Sequence, residues 1–112
     1  MLETELDRAP TAPFRARRHV ERFPCGLTDP RRTDAVLAAS EVVANAYRHG
    51  HGRIILRLDA RGHGLRAEVR DDGRGFDPDA DAGLGLSIVG AVTDGWGVAD
   101  GSTLVWFEIG TG

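Results

Sequence analysis

The sequence predicts an α+β fold, a two-layer α/β sandwich in which helices cover one face of a mixed, mostly antiparallel sheet. Two observations predict it. Apolar residues recur at helical spacing before Gly50, and apolar and polar residues alternate after it, as in strands that bury one face. With 112 residues, no internal repeat and no linker, the chain is expected to form a single domain over residues 1–112.

The chain opens with a polar stretch, Met1 to Arg8, which predicts a frayed end or a short edge strand. A first helix begins near Pro13 and ends at Pro24, and residues at i, i+4 and i+7 form its buried face: Ala16, Val20 and Phe23. Another face of this helix carries three arginines, Arg15, Arg18 and Arg22. This arginine stripe is either a solvated face or a docking surface for an acidic partner.

A second helix is predicted from Ala35 to Tyr47, which contains no Gly or Pro, and it ends at Gly50. We expect its core face to hold Val36, Val43 and Tyr47. Glu41 and Asn45 are four residues apart and stack together on the opposite side. A carboxylate can act as a base and an amide oxygen is a ligand suited to Mg²⁺, although the same spacing also fits a solvated helix face.

Two strands follow, because apolar residues alternate with polar ones in two runs. The apolar positions are Ile54, Leu56 and Leu58 in the first run and Leu65, Ala67 and Val69 in the second. Residues 60–64 predict the hairpin turn between them. The second strand runs into Asp71-Asp72-Gly73-Arg74-Gly75-Phe76, where two glycines beside a carboxylate either form a plain turn or let the backbone approach a flat or anionic group.

A glycine-rich segment, Gly83-Leu-Gly85-Leu86, starts a third helix that extends to about Thr93. Unpaired N–H groups and the positive end of the helix dipole favour phosphate at such a start. The segment lacks the third glycine and the preceding strand of a dinucleotide fingerprint. After Gly95, two final strands are predicted at Trp96 to Ala99 and Thr103 to Ile109, with a turn at residues 100–102.

The composition excludes several classes of protein. The net charge of −3 argues against a nucleic-acid binder. The chain has 14 arginines and no lysine. The absence of lysine excludes a Walker A loop, the strand lysine of protein kinases and Schiff-base chemistry. Cys25 is the only cysteine, so no internal disulfide can form. No apolar run approaches the roughly 18 residues that span a bilayer, and the N-terminus is unlike a signal peptide, so we expect a cytoplasmic protein.

Three motifs, in this order, resemble the GHKL (Bergerat-fold) ATP-binding family of histidine kinases, gyrase and anti-sigma-factor serine kinases. They are the helix with Glu41 and Asn45, the strand that ends in Asp71-x-Gly73-x-Gly75, and Gly83-x-Gly85-Leu86 at the start of a helix. The resemblance covers about Leu6 to Ile109. It implies that the chain binds ATP and Mg²⁺.

The resemblance also implies a role for each matching residue. Asn45 would be the Mg²⁺ ligand, and Glu41 would be the general base or would position the attacking group. Asp71 would accept a hydrogen bond from the adenine amino group, where the oxygen of guanine would be repelled. The other members of the nucleotide-binding set are Gly73 and Gly75 at the base, and Gly83, Gly85 and Leu86 at the phosphates.

Within the family, the arginine-bearing first helix, the small size and the segment from Ser40 to Gly50 resemble stand-alone anti-sigma-factor serine/threonine kinases. Such proteins hold a sigma factor and phosphorylate a serine on an antagonist protein. This implies a kinase that regulates transcription through protein partners, and it leaves a homodimer open. Two alternatives remain: a weak or inactive binding module that acts by contact alone, and a detached ATPase domain of the histidine-kinase type.

The chain departs from the family pattern between the two glycine motifs. The family closes a longer and often basic lid over the phosphates, whereas here only Asp77 to Ala82 separate the motifs. Three carboxylates lie in this segment, Asp77, Asp79 and Asp81. Negative charges near a triphosphate oppose its binding unless Mg²⁺ intervenes, and this favours the contact-only alternative.

Overall fold

The computed structural model of the protein describes residues 1–73, 84–99 and 103–110. Along this part of the chain the elements follow one another in the order β1 (Leu2–Leu6), α1 (Ala12–Arg22), α2 (Arg31–His49), β2 (Ile54–Arg61), β3 (Gly64–Asp71), α3 (Leu84–Val92), β4 (Gly95–Ala99) and β5 (Leu104–Ile109). Each predicted helix and strand is present, within a few residues of its expected bounds.

The five strands form one sheet in the order β1-β2-β3-β5-β4, and every neighbouring pair is antiparallel. The α+β fold class is confirmed, and none of the described strand pairs is parallel. β1 lies at one edge of the sheet, as the polar start of the chain predicts. The β2–β3 hairpin is tighter than residues 60–64 suggest, because Gly62 takes a positive φ of 58° and lets the chain reverse in two residues.

The helices and one face of the sheet enclose the core. The predicted alternation is confirmed, since the apolar positions of β2 and β3 are buried, and they pair across the sheet as Leu56 with Val69 and Leu58 with Ala67. The opposite face carries ion pairs, with Arg66 bound to both Glu68 and Glu108. No helix in the described part of the chain is long and apolar enough to cross a membrane.

α2 lies in the middle of the helical layer, where it packs against α1, α3 and the sheet. The expected core face is therefore only partly right. Val43 is buried, whereas Val36 and Tyr47 are half-buried. The small residues Ala35, Ala38, Ala39 and Val42 are buried instead, because neighbours on three sides cover a wide arc of the helix.

Arg32 joins the end of α1 to the start of α2. Its guanidinium donates to the carbonyl oxygens of Val20 at 2.8 Å and of Leu27 and Phe23 at 3.1 Å, with longer bonds to Glu21 and Cys25. The last carbonyls of a helix have no partner within the helix. Arg32 supplies that partner for α1 and also fixes the loop that follows.

Arg31 joins the start of α2 to the end of α3. It donates to the carboxylate of Asp94 at 2.6 Å, to the Gly110 carbonyl at 3.0 Å and to the Val92 carbonyl at 3.5 Å. The other oxygen of Asp94 accepts the Gly110 N–H at 2.7 Å. These bonds hold the C-terminal end of α3 against α2 and β5, which sets where the other end of α3 meets α2.

Candidate functional site

A cleft opens between the C-terminal half of α2, the ends of β3 and β5, and the first turn of α3. Among the described residues its walls are mostly apolar, and the polar side chains there are Asn45 and Asp71. The described residues that line it are Val42, Asn45, Ala46, Gly50, Val69, Asp71, Leu86 and Val105. An apolar cleft with a few convergent polar groups is typical of a small-molecule site.

Asn45 is only 6% exposed, so the alternative of a solvated helix face does not hold at this position. Its side-chain oxygen accepts a hydrogen bond from Arg48 at 3.2 Å. Its side-chain nitrogen is buried and has no hydrogen-bond partner in the described structure. Leaving a buried polar group unpaired costs on the order of 1–3 kcal/mol, so a ligand that satisfies this amide gains that energy.

Arg48 is a site residue that the sequence reasoning missed. It lies three residues after Asn45 on the exposed side of α2, which places the two side chains one turn apart. The helical spacing could have indicated Arg48, because side chains three residues apart on a helix are neighbours, and a ligand that contacts Asn45 is then within reach of the arginine. A guanidinium beside the cleft also offers an anion the positive charge that the segment from Asp77 to Ala82 lacks.

Asp71 ends β3 on the helix side of the sheet, two residues beyond Val69. One carboxylate oxygen accepts the N–H of Gly73 at 2.6 Å, and the backbone N–H of Asp71 donates to the Thr103 carbonyl at 3.1 Å. The other oxygen accepts no hydrogen bond from the described residues. A fixed carboxylate with one oxygen available is the group that a donor such as an exocyclic amino group needs.

Gly50 and Gly73 allow this carboxylate to lie where it does. A Cβ on Gly50 would come within 2.5 Å of the Asp71 Oδ2, and a Cβ on Gly73 within 2.8 Å of the Oδ1. The sequence predicted Gly50 only as the end of α2, which is confirmed, because its N–H donates to Ala46 at 2.9 Å. Its second role depends on the contact with β3, which no local pattern in the sequence encodes.

Asp72 is adjacent to Asp71 but belongs to a different environment. Its carboxylate accepts three hydrogen bonds from Arg53, one from the backbone N–H at 2.8 Å and two from the guanidinium at 3.1 and 3.3 Å. The pKa of Asp72 lies below its ordinary value because of the side-chain and then the backbone hydrogen bond from Arg53. Of the two consecutive aspartates, only Asp71 lines the cleft.

The remaining predicted site residues divide into three groups. Leu86 is 4% exposed and lines the cleft, and Gly85 lies in the first turn of α3. Glu41 is half-buried, one helical turn before Asn45, and does not line the cleft itself. Gly75 and Gly83 lie outside the described residues, as does the acidic segment from Asp77 to Ala82.

The geometry agrees with the comparison of the chain with protein families. The family model described as histidine kinase-like ATPase domain matches residues 2–109. The chain belongs to this family. No curated protein matches it. Domains of this family bind ATP, and the cleft between Asn45 and Asp71 is the candidate for that site.

The side chains of the site also fit Mg²⁺, which such domains typically bind with ATP. The described residues contain no group of three His, Cys, Asp or Glu side chains that could hold a metal by themselves. Mg²⁺ commonly takes one or two protein oxygens and completes its coordination with phosphates and water. Asn45 can supply one such oxygen, because its side-chain oxygen has two lone pairs and accepts a single hydrogen bond, from Arg48, among the described residues.

Proposed function

We propose that the chain is an anti-sigma factor with serine/threonine kinase activity, which binds a sigma factor and phosphorylates an antagonist protein. The observation that carries the kinase activity is the placement of Glu41 and Asn45 on successive turns of α2. Asn45 lies in the cleft, whereas Glu41 lies beside it and is half-exposed. A carboxylate at the outer margin of an ATP site can reach the hydroxyl of a protein that approaches from solvent.

In this proposal each side chain has one task. Asp71 accepts the amino group of adenine, and Asn45 and Arg48 hold the phosphate end, with Mg²⁺ neutralising phosphate charge when it is bound. Glu41 takes the proton from a serine or threonine hydroxyl as the hydroxyl oxygen bonds to the γ-phosphorus and ADP leaves. Positioning and charge stabilisation supply most of the catalysis in such transfers.

The surface of α1 supports the partner part of the proposal. The stripe of Arg15, Arg18 and Arg22 is exposed, as predicted. Phe14 is 51% exposed on the same helix, and the guanidinium carbons of Arg17 and Arg18 lie 5.6 and 5.7 Å from the centre of its ring. An aromatic anchor among arginines suits a protein partner with an acidic rim around an apolar contact.

A phosphate-transfer assay tests the proposal. Purified protein is incubated with γ-labelled ATP and a protein fraction from the host cell, and the labelled residue is identified by mass spectrometry. We expect acid-stable label on a serine or threonine. Glu41→Gln is expected to lower transfer by about 100-fold or more with ATP binding retained, because it removes only the base. Equal transfer by the wild-type protein and Glu41→Gln would remove Glu41 from the mechanism.

The second candidate function is a regulator that acts by contact alone. It is favoured by the three aspartates that the sequence has between the two glycine motifs, Asp77, Asp79 and Asp81, because negative charges oppose the binding of a triphosphate. It predicts partner binding without any transfer of label. Acid-labile label on a histidine would instead indicate a detached ATPase domain of the histidine-kinase type.

A further inference from the structure

The two edge strands of the sheet differ in charge, and charge determines how readily an edge pairs with another strand. β1 carries Glu3 and Glu5 on its exposed residues. β4, at the other edge, reads Gly95-Trp96-Gly97-Val98-Ala99, with no charged residue and no proline. Among the described residues, none pairs with the outer side of β4. Edge strands usually carry charges or proline that discourage such pairing, so this uncharged edge requires an explanation.

Trp106 extends the apolar character of this edge across the open face of the sheet. It pairs with Gly97 across β5 and β4, and its indole lies over that glycine, since a Cβ there would meet the indole nitrogen at 2.8 Å. The ring also reaches Gly95, whose Cβ would lie 3.9 Å from it. Arg66 stacks on the indole at 4.6 Å, and Trp106 remains partly exposed. A flat aromatic surface therefore borders the uncharged edge.

The sequence of β4 is complementary to itself in an antiparallel pair. A two-fold axis at Gly97 places Trp96 opposite Val98 of a second copy, and Gly95 opposite Ala99. Aromatic and β-branched pairs stabilise antiparallel strands, and no like charges meet between Gly95 and Ala99. One position further out in the sequence, the same register sets Asp94 opposite Asp100 of the second copy, but Asp94 is already paired with Arg31 within its own chain. The same operation on β1, centred at Thr4, places Glu3 opposite Glu5 of the second copy. Within the strands themselves, charge therefore opposes a second copy at β1 and does not oppose one at β4.

We infer that β4 is a self-association surface, at which two copies join their five-stranded sheets edge to edge through antiparallel β4 strands. The register of Gly97 with Trp106 puts both indoles in one row, on either side of the two paired glycines. The two rings then cover the glycines, which have no side chains of their own to pack. Dimerisation would use main-chain hydrogen bonds for affinity and the tryptophans for register. The inference does not depend on nucleotide binding.

Charge substitution at Gly95 and Ala99 tests the inference, because these two positions face each other across the proposed junction. Gly95→Lys with Ala99→Lys places like charges opposite each other twice. The matched control, Gly95→Lys with Ala99→Asp, places opposite charges there and alters the same two residues. Both positions have room for a side chain in the single copy, since the Cβ of Gly95 meets nothing closer than 3.9 Å and Ala99 is exposed.

Sedimentation velocity of the full chain over a concentration series measures the association. We expect a monomer–dimer equilibrium in the wild-type protein and in the Lys/Asp control, and a dissociation constant at least about tenfold higher in the Lys/Lys variant. The only tryptophans, Trp96 and Trp106, lie on β4 and β5, so their fluorescence should change on dilution wherever dimers dissociate. A monomer at all concentrations, or a dimer equally strong in both variants, would overturn the inference. Circular dichroism is used to check that both variants are folded.

Discussion

At Asn45, the requirements of stability and of ligand binding conflict most directly. Within the part of the chain that the structure describes, its buried amide nitrogen has no partner, and its oxygen accepts a hydrogen bond only from the exposed Arg48, at 3.2 Å. A residue selected for stability would not leave this atom unpaired. A ligand-binding residue can leave this atom unpaired in the free protein, because bound nucleotide and metal would complete its hydrogen bonding or coordination.

Replacing Asn45 separates these two roles. Asn45→Leu keeps the branched shape and removes the unpaired nitrogen, so we expect the free energy of unfolding without nucleotide to rise by about 1 kcal/mol. ATP should then stabilise the variant much less than it stabilises the wild-type protein. Urea denaturation with and without Mg-ATP measures both quantities. A less stable variant whose ATP-induced stabilisation is unchanged would show that Asn45 is a structural residue.

At the scale of elements, two consecutive arginines at the start of α2 join the three helices by hydrogen bonds, in addition to the apolar packing between them. Arg32 serves α1 and Arg31 serves α3, so α2 connects to both neighbours through its first turn. Both bind carbonyls at helix ends, Arg32 that of Val20 in α1 and Arg31 that of Val92 in α3. The planar fork of a guanidinium suits this task, because it presents several donors at once.

Arg32→Lys tests the link to α1. A lysine keeps the charge but cannot reach the carbonyls of Val20, Phe23 and Leu27 together, so we expect a loss of about 2 kcal/mol in unfolding free energy. Arg61→Lys, at the exposed end of β2, is the matched control and should change stability by less than about 0.5 kcal/mol. Equal effects of the two substitutions in urea would contradict the role of Arg32.

Asp94 gives the link to α3 a pH dependence. The Gly110 N–H, and after it Arg31, hold the pKa of Asp94 below its ordinary value. A lowered folded-state pKa means that the stabilisation is fully present above the unfolded pKa of about 3.9 and is lost as the pH falls through the folded value. The difference in stability between the wild-type protein and Asp94→Asn should therefore be present at neutral pH and disappear in acid. A difference that is constant with pH would mean that the charge of Asp94 contributes nothing.

At the scale of the whole molecule, features set by local sequence patterns could be predicted, whereas features set by contacts between distant elements could not. The alternation from Ile54 to Val69 predicted both strands and their buried faces, because a strand's side-chain period is set within the strand itself. The order of motifs predicted that Asn45 and Asp71 serve one site. Their shared cleft, and the closeness of Gly50 to Asp71, depend on how α2 crosses β3.

The misplaced core face of α2 has the same origin. Val36 and Tyr47 suit a helix with one buried side, whereas α2 is covered by α1 and α3 as well as by the sheet. The number of neighbours around a helix is a property of the assembled layer. Burial of the polar Asn45 could not be predicted from its helix alone for that reason.

In the proposed function the cleft binds ATP, and Asp71 recognises the adenine base. Calorimetric titration with Mg-ATP of the wild-type protein, Asp71→Asn and Asp72→Asn tests it directly. Asp72→Asn is a close control, because it changes the adjacent carboxylate, which is bound to Arg53 outside the cleft. We predict similar ATP affinity in the wild-type protein and Asp72→Asn, and at least about a tenfold loss in Asp71→Asn with the fold intact. Equal ATP affinity in all three proteins, or no binding by the wild-type protein, would contradict the account.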